Sequence, residues 1–181
     1  MIRKRDLHEC TALYDLMSEP TVLAYVRQKA SSADEYWFMT KQLMEEEENG
    51  SAISRTIVSD FGQPIGTINL FDIDNGAGFL GTWIGKPFQG LGYNKKAKEQ
   101  FLQEMFFETE IHTIFLRIRK NNLKSIRATE KLPYALKANS THPAIYEEIN
   151  KENDIFDLYY IPKDLFHLVM LQDNTEEEQA M

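Results

Sequence analysis

The sequence has little that could cross-link it or hold it in a membrane. Its 181 residues include a single cysteine, Cys10, so neither an intrachain disulfide nor a cysteine metal cluster can form. No apolar run approaches the roughly 20 residues of a membrane-spanning helix. The first nine residues lack the apolar core of a signal peptide. These absences predict a protein of the reducing cytoplasm that has no membrane partner.

Histidine pairs and basic clusters are also missing. The four histidines show no i, i+4 pair and no H-x-x-x-H spacing, so we expect no metal site. The net charge of −8 comes almost entirely from two acidic runs, Glu45–Glu48 and Glu176–Glu178. No basic stripe is present, which argues against nucleic acid as a partner.

The chain does contain a glycine-rich turn between a predicted strand and a predicted helix. The apolar run Phe79–Ile84 predicts the strand. The turn is the segment Gln89–Asn94, here called the glycine loop. In the helix that follows, apolar residues recur at a spacing of four, and the other faces carry Lys95, Lys96, Lys98, Glu99, Gln103 and Glu104. Such a turn favours anion binding, because first-turn amides lack intrahelical acceptors and the helix dipole is positive there.

Several interpretations of the glycine loop compete. A dinucleotide fold requires G-x-G-x-x-G, but Lys95 occupies the third glycine position. A P-loop requires lysine after its second glycine, and Leu91 stands there. The pattern Q/R-x-x-G-x-G/A fits Gln89 and Gly92, with Asn94 in place of a small residue. The loop alone is equally consistent with a helix start that binds nothing.

A second motif lies about thirty residues further on. Asn122 and Ser125 open the segment NLKSIR, which leads into Glu130-Lys131-Leu132. Together with the glycine loop it resembles the signatures of GNAT-family acyl-CoA N-acyltransferases, in the branch of the ribosomal-protein N-terminal acetyltransferases. Pro64-Ile65-Gly66-Thr67 is similar to a further strand motif of that family. The resemblance runs from about Ile2 to Ile161.

The resemblance implies an α+β GNAT fold, with a mixed, mostly antiparallel sheet of about seven strands, a central splayed parallel pair and flanking helices. We expect one GNAT domain over residues 1–165 and an extension over 166–181 with a disordered acidic tail. From the residues themselves, Thr113–Arg119 predicts a strand and Asn122–Leu132 a helix. Asp6 can cap a helix running to about Met17, and Ser32 and Glu35 form a capping box that opens a helix ending at Glu48.

Short connections, among them a turn over Asp72–Gly78, predict that the three strands ahead of the glycine loop form an antiparallel meander. In the last predicted strand, Tyr159 and Tyr160 point to opposite faces, so we expect one of them to pack in the core.

By this resemblance, acetyl-CoA is the co-substrate and no metal takes part. Its pantetheine arm would pair with the backbone of one strand end, and its diphosphate would lie on the amides of the glycine loop. Asn122 would hydrogen-bond the arm, although its position also suits a plain helix N-cap. The residues so assigned to the cofactor are Trp83, Ile84, Gly85, Gln89, Gly90, Leu91, Gly92, Tyr93, Asn94, Asn122 and Ser125.

The catalytic residues are less well marked, and we assign them to Ser125 and Asn122. Many family members place a tyrosine general acid where this chain has Thr129. Ser125 can instead donate toward the leaving thiolate, or it can be a helix serine that bonds its own backbone. Phe79 stands where related proteins often carry a glutamate base. Asp72 and Asp74 could serve through water, but both lie in a predicted turn.

The sequence thus predicts an N-acetyltransferase that moves acetyl from acetyl-CoA to an amine, either a peptide N-terminus or a small molecule. The alternative is a catalytically weak GNAT-fold protein that binds acyl-CoA as a sensor or interaction module. A nucleotide-binding regulator that uses the same loop is a third, lower-ranked hypothesis. The family includes many dimers, so a homodimer is a further expectation.

Overall fold

A computed structural model of the chain describes residues 1–179, with side chains through residue 172. The chain divides into two compact units, Met1–Glu110 and the remainder from Ile111 onward. The described residues form seven strands and seven α-helices. None of these helices is long and apolar enough to cross a membrane.

The first unit contains four strands, four α-helices and two short 3-10 helices at Leu7–Glu9 and Lys86–Phe88. In chain order the main elements are β1 (Ile2–Lys4), α1 (Cys10–Met17), α2 (Pro20–Leu23), α3 (Ala33–Glu48), β2 (Ile53–Val58), β3 (Pro64–Asp74), β4 (Ala77–Ile84) and α4 (Tyr93–Glu108). The strands pair antiparallel in sequence order, as their short connections predicted.

The β3–β4 hairpin is longer than the sequence indicated. We expected a turn over Asp72–Gly78, but pairing continues to Asp74 and Ala77 after an irregularity beyond Phe71. The turn is only Asn75 and Gly76, both at positive φ (46° and 72°). Two-residue hairpin turns favour Asn-Gly because both positions can adopt positive φ without strain.

The predicted helix starts in this unit are confirmed by their caps. The Asp6 side chain accepts a hydrogen bond from the His8 amide at 2.9 Å. The Ser32 hydroxyl accepts one from the Glu35 amide at 3.1 Å. The Glu35 carboxylate accepts from the Ser31 amide at 2.6 Å, one residue before the position that a standard capping box uses.

The core of the first unit is built from residues of its helices and of its strands. One cluster joins α1 and α3 through Leu13, Met17 and Tyr36. Elsewhere Ile68 of β3 and Phe101 of α4 are fully buried. The apolar spacing in α4 therefore marks its core-facing side, as predicted.

Lys98 corrects the sequence analysis of α4. We placed it on a polar face with Lys95 and Lys96, but only 9% of Lys98 is exposed, whereas the other two are exposed residues. Helical periodicity places Lys98 next to Ala97 and one turn before Leu102, so it lies at the edge of the apolar stripe.

The second unit contains three strands and three helices. In chain order these are β5 (Thr113–Arg119), α5 (Leu123–Glu130), β6 (Leu136–Lys137), α6 (Pro143–Ile149), β7 (Phe156–Pro162) and α7 (Lys163–Gln179). β7 pairs antiparallel with both β5 and β6. Tyr159 and Tyr160 point to opposite faces, and Tyr159 packs in the core at 2% exposure, as expected for one of this pair.

The C-terminal segment differs from its prediction. The backbone is helical through Gln179, so α7 covers Glu176–Glu178, where the sequence predicted a disordered tail. Residues 180 and 181 of that tail lie outside the described residues. Phe166 and Val169 are buried, at 0% and 9% exposure, and they tie the start of α7 into the second unit. The domain boundary at residue 165 stays a prediction.

Candidate functional site

The end of β4 presents one residue whose backbone faces away from β3. The Gly85 amide donates to the Ile65 carbonyl at 2.8 Å, just beyond the facing pair Gly66 and Ile84. Because hydrogen-bonded and non-bonded pairs alternate in an antiparallel ladder, the Ile84 backbone groups point outward and those of Trp83 point to β3. Of the three residues expected to pair with a ligand, Trp83 and the Gly85 amide face β3, and Ile84 faces away from it.

The Gln89 side chain fixes the start of the glycine loop against this strand end. Its Nε2 donates to the Ile84 carbonyl at 2.9 Å, across the 3-10 turn Lys86–Phe88. The Gln89 amide itself donates to the Lys86 carbonyl at 3.3 Å. The Gln89 amide, one of those predicted to bind the diphosphate, therefore already has an acceptor. The later amides of the glycine loop make no hydrogen bond to this 3-10 turn.

Two glycines of the loop are required by backbone conformation. Gly90 and Gly92 have φ of +80° and +85°, a region that side-chain-bearing residues occupy only with strain. A Cβ built on either glycine meets no atom within 4 Å. The space beside both glycines is open, so a ligand can approach the backbone there.

The start of α4 is left without a side-chain cap. Gly92 occupies the N-cap position and offers no side-chain acceptor, and the first turn contains no acidic residue. The Lys96 amide is the first of the helix to bond within it, to the Gly92 carbonyl at 3.2 Å. The Tyr93 side chain is turned away toward Asp60, with its hydroxyl 3.3 Å from Oδ2. This leaves first-turn amides available to an external anion.

One titratable group stands out in the same helix. Burial lowers the pKa of Lys98 to about 8, and burial is the only cause. Among the residues whose side chains are described, none forms a hydrogen bond or ion pair with the Lys98 ammonium. The sequence analysis missed this residue, because lysine in an amphipathic pattern ordinarily lies in water.

The second unit brings Asn122 and Ser125 together at the start of α5. The Asn122 Oδ1 accepts a hydrogen bond from the Ser125 amide at 3.2 Å, so the predicted N-cap is confirmed. The side-chain nitrogen of Asn122 and the Ser125 hydroxyl have no partner among the described residues. The Ser125 hydroxyl thus does not bond its own backbone, which was the alternative to a donor role, and both residues are only half-buried.

Thr129, in the position of the family's usual tyrosine acid, lies on the same helix. It is fully buried, and its hydroxyl makes no hydrogen bond within the described chain. Tyr159 of β7 donates to Glu130 at 3.2 Å. Burial, followed by the Glu130 hydrogen bond, raises the pKa of Tyr159 to about 12, so this phenol keeps its proton at neutral pH.

The candidate bases of the first unit are committed to structural contacts. Asp72 has a positive φ of 52° and pairs with Arg27 at 2.6 Å. Arg27 in turn lies over the Phe71 ring, 4.5 Å from its centroid. Asp74 accepts from the Asn75 amide group at 2.8 Å. Both residues lie at the end of β3 rather than in the predicted turn, and their carboxylates make local structural contacts.

Comparisons with known proteins give the family. The family model described as Acetyltransferase (GNAT) domain matches residues 1–134. No curated protein sequence matches the chain.

Three solved structures illustrate the fold. A spermidine N-acetyltransferase from Vibrio cholerae, solved in complex with CoA and spermine, matches with a TM-score of 0.73 and 16% identity, covering 92% of this chain and 96% of that one. Apo FdhC, a nucleotide-linked sugar GNAT, has a TM-score of 0.74 and 16% identity over 96% of this chain and 92% of its own. A probable acetyltransferase has a TM-score of 0.67 and 22% identity over 88% and 89% of the two chains.

The solved structures confirm the predicted GNAT fold, and the family model covers well over half of the sequence. The chain therefore belongs to the GNAT family of acetyltransferases.

Proposed function

We propose that the protein transfers the acetyl group of acetyl-CoA directly to an amine. The observation that carries the proposal is the uncapped start of α4, which follows two glycines at positive φ beside open space. In a GNAT acetyltransferase this is the anion site that the cofactor diphosphate requires.

The residues of the first unit fit the cofactor in two ways. The amides from Gly90 to Asn94 would receive the diphosphate, because no side chain in the described part of the chain caps this helix start. The outward-facing amide of Ile84 would donate to the pantetheine arm, as in pairing with a neighbouring strand, while its carbonyl already accepts from Gln89. Gln89 holds the loop in place through the Ile84 carbonyl and would act as a positioning residue.

The second unit would supply side-chain donors. The Asn122 carbonyl oxygen caps α5, which leaves its amide nitrogen to donate to a carbonyl of the arm. The Ser125 hydroxyl, without a backbone acceptor, would donate toward the sulfur of the leaving thiolate. Both assignments agree with the sequence motif that led to them.

The reaction requires a neutral amine nitrogen, whose pKa in water is near ~10. The nitrogen attacks the thioester carbonyl carbon, the carbon–sulfur bond breaks, and the amide forms. The proton lost by nitrogen passes through water, and a proton ends on the CoA thiol. A backbone or side-chain donor must stabilise the carbonyl oxygen while it carries negative charge.

The acceptor is proposed only as a class, peptide N-termini or small amines. The sequence resembles the ribosomal-protein N-terminal acetyltransferase branch, whereas one structural relative carries spermine and another is a nucleotide-linked sugar GNAT. A soluble, cytoplasmic location and a homodimer remain proposals.

A catalytically weak acyl-CoA sensor is the second candidate. It is favoured by the buried Thr129 in the position of the family's acid and by the engagement of Asp72 with Arg27. A panel of peptide and small-molecule amines separates the two candidates. Release of CoA well above the rate of thioester hydrolysis supports the enzyme, and a rate equal to hydrolysis with every amine supports the sensor.

The cofactor is tested first by thermal unfolding with acetyl-CoA, ATP or NAD. A ligand at about 100 times its dissociation constant adds about 2.7 kcal/mol to the free energy of unfolding. A rise in Tm with acetyl-CoA alone is expected. Equal rises with ATP would favour the nucleotide-binding hypothesis, and no rise with any ligand would contradict the cofactor assignment.

A further inference from the structure

The start of α4 carries positive charge that no carboxylate of its first turn offsets. Lysines occupy positions 95, 96 and 98, within the first two turns. The helix dipole adds partial positive charge at this end, where acidic residues are normally favourable and basic residues are unfavourable. Without a bound anion, these lysines therefore destabilise the start of α4.

Lys98 differs from its two neighbours in burial and pairing. Lys95 lies in water and approaches Glu99 at 3.8 Å, and Lys96 is exposed. Lys98 is 9% exposed and forms no ion pair or hydrogen bond with the residues whose side chains are described. The Nζ atom is not among the fully buried unpaired atoms of the described residues, so the stem of the side chain is buried while the ammonium reaches the protein surface. An ammonium in such a place is poorly hydrated, and an anion at this end of the helix would compensate for the lost hydration.

Helix geometry places the uncapped amides within reach of the Lys98 side chain. Every Cα–Cβ bond of an α-helix tilts toward its N-terminus, and long side chains lie back over the preceding turn. Lys98 follows Asn94 by four residues, which is about 6 Å along the helix axis, close to the length of an extended lysine side chain. A buried lysine also extends its ammonium toward the nearest water, and Gly92 and Asn94 are exposed at this end.

We propose that Lys98 is a ligand-binding residue. Its ammonium and the uncapped amides at the start of α4 together form an anion site, in which the ammonium contacts the diphosphate of CoA. This inference rests on the proposed function. One anion there would offset the buried ammonium, the positive end of the helix and the unbonded first-turn amides together.

The test compares Lys98→Met with Lys96→Met, which removes the same charge from the surface of the same helix. Calorimetric titrations use CoA, dephospho-CoA and inorganic pyrophosphate. We expect Lys98→Met to lower the affinity for CoA at least tenfold and the affinity for dephospho-CoA by a similar factor, because both ligands contain the diphosphate. Pyrophosphate binding should fall likewise, and Lys96→Met should change each affinity less than threefold. Circular dichroism verifies that both variants are folded.

Each outcome decides something. If Lys98→Met binds CoA as the wild type does, the inference is overturned and the cofactor assignment stands. A loss seen with CoA but not with dephospho-CoA would place Lys98 at the 3′-phosphate and overturn the contact with the diphosphate. If the wild type binds pyrophosphate through Lys98 but not CoA, the anion site stands and the proposed function fails. If the wild type binds none of the three, both are overturned.

Discussion

The starts of α4 and α5 are two helix N-termini built in opposite ways. α5 begins with Asn122, whose side chain accepts from the Ser125 amide at 3.2 Å. α4 begins with Gly92 at φ +85°, with no side-chain acceptor and no acidic residue in its first turn. Each helix follows closely on a strand, β4 or β5.

The difference shows where a side chain of this protein accepts hydrogen bonds from helix-start amides and where those amides stay available to a ligand. At α5 the cap uses the oxygen of Asn122 and frees only its side-chain nitrogen. At α4 the first-turn amides have no side-chain cap, and the same helix carries a largely buried lysine within its first two turns. Because an unbonded helix start and a poorly hydrated cation both cost stability, the two features together favour a binding site more strongly than either alone.

The largest expected effect on CoA binding comes from placing a carboxylate at the N-terminus of α4. Gly92→Glu should abolish measurable CoA binding, a loss of more than about 2.7 kcal/mol, which is the equivalent of a hundredfold change. The new carboxylate would repel the diphosphate, and the new side chain would occupy the open space beside the loop. Calorimetric titration with CoA measures the effect.

Gly50→Glu is the matched control for this prediction. Gly50 has a similar φ of +76° and equally open surroundings, but it follows α3. Both variants should lose about 1–2 kcal/mol of stability from the strained backbone. Equal CoA affinity in the two variants would show that the α4 end does not bind the cofactor.

The second prediction concerns the stability of the ligand-free protein. Burial lowers the pKa of Lys98 from 10.5 to about 8. Below pH 8 the folded state therefore bears the full cost of the buried charge, with an upper limit of about 3 kcal/mol. Lys98→Met should raise the free energy of unfolding by about 2 kcal/mol at pH 7, measured by urea denaturation.

The sign of the pH dependence follows from the same shift. Between about pH 8 and 10.5 the unfolded chain keeps a proton that folded Lys98 has lost. The wild type should therefore gain stability, relative to Lys98→Met, as the pH rises through this window. A constant difference between the two proteins from pH 7 to 10.5 would contradict the assignment of the low pKa to Lys98.

The third prediction separates the two roles of Asn122. Asn122→Asp keeps an oxygen that caps α5 but removes the amide donor. Stability should change by less than about 0.5 kcal/mol, while CoA affinity falls roughly tenfold, or about 1.4 kcal/mol. Asn122→Ala should lose the cap as well, about 1 kcal/mol of stability. If Asn122→Asp binds CoA normally, the residue is a cap alone.

The smallest expected effect is catalytic and concerns α5. Ser125→Ala should lower kcat about fivefold, because a donor to the departing thiolate is lost, with KM for acetyl-CoA nearly unchanged. Thr129→Val is the control, since its buried hydroxyl makes no hydrogen bond and valine has a similar shape. A larger loss of kcat in Thr129→Val than in Ser125→Ala would reverse the assignment of the donor.

Local sequence signals accounted for most of the element starts. Asp6, Ser32 and Asn122 each accept a first-turn hydrogen bond, because these caps act over three residues or fewer. The bounds of β5 agree with those predicted from its alternating pattern. Ser125 and Asn122 were identified together because their motif has a fixed spacing within one helix.

The burial of polar strand residues is a feature that the sequence pattern does not specify. β2 and β3 place Ser54 and Asn69 on one face, an alternation that ordinarily marks the solvated side of a sheet. Both are buried, and Ser54 also accepts a hydrogen bond from Arg5, itself 8% exposed, at 3.2 Å. A sequence pattern gives the period of a strand, but what covers each face depends on distant elements such as α1 and α3.

The sequence by itself determined the family motifs, the helix caps and the glycines at positive φ, because these depend on residues that are close in the chain. Only the tertiary structure decided that Ile84 turns its backbone away from β3 and that Gln89 is held to the Ile84 carbonyl. It also decided that Lys98 is largely buried, with no hydrogen bond or ion pair to the residues whose side chains are described. Pairing register and burial arise from contacts between elements far apart in sequence, and no local pattern specifies them.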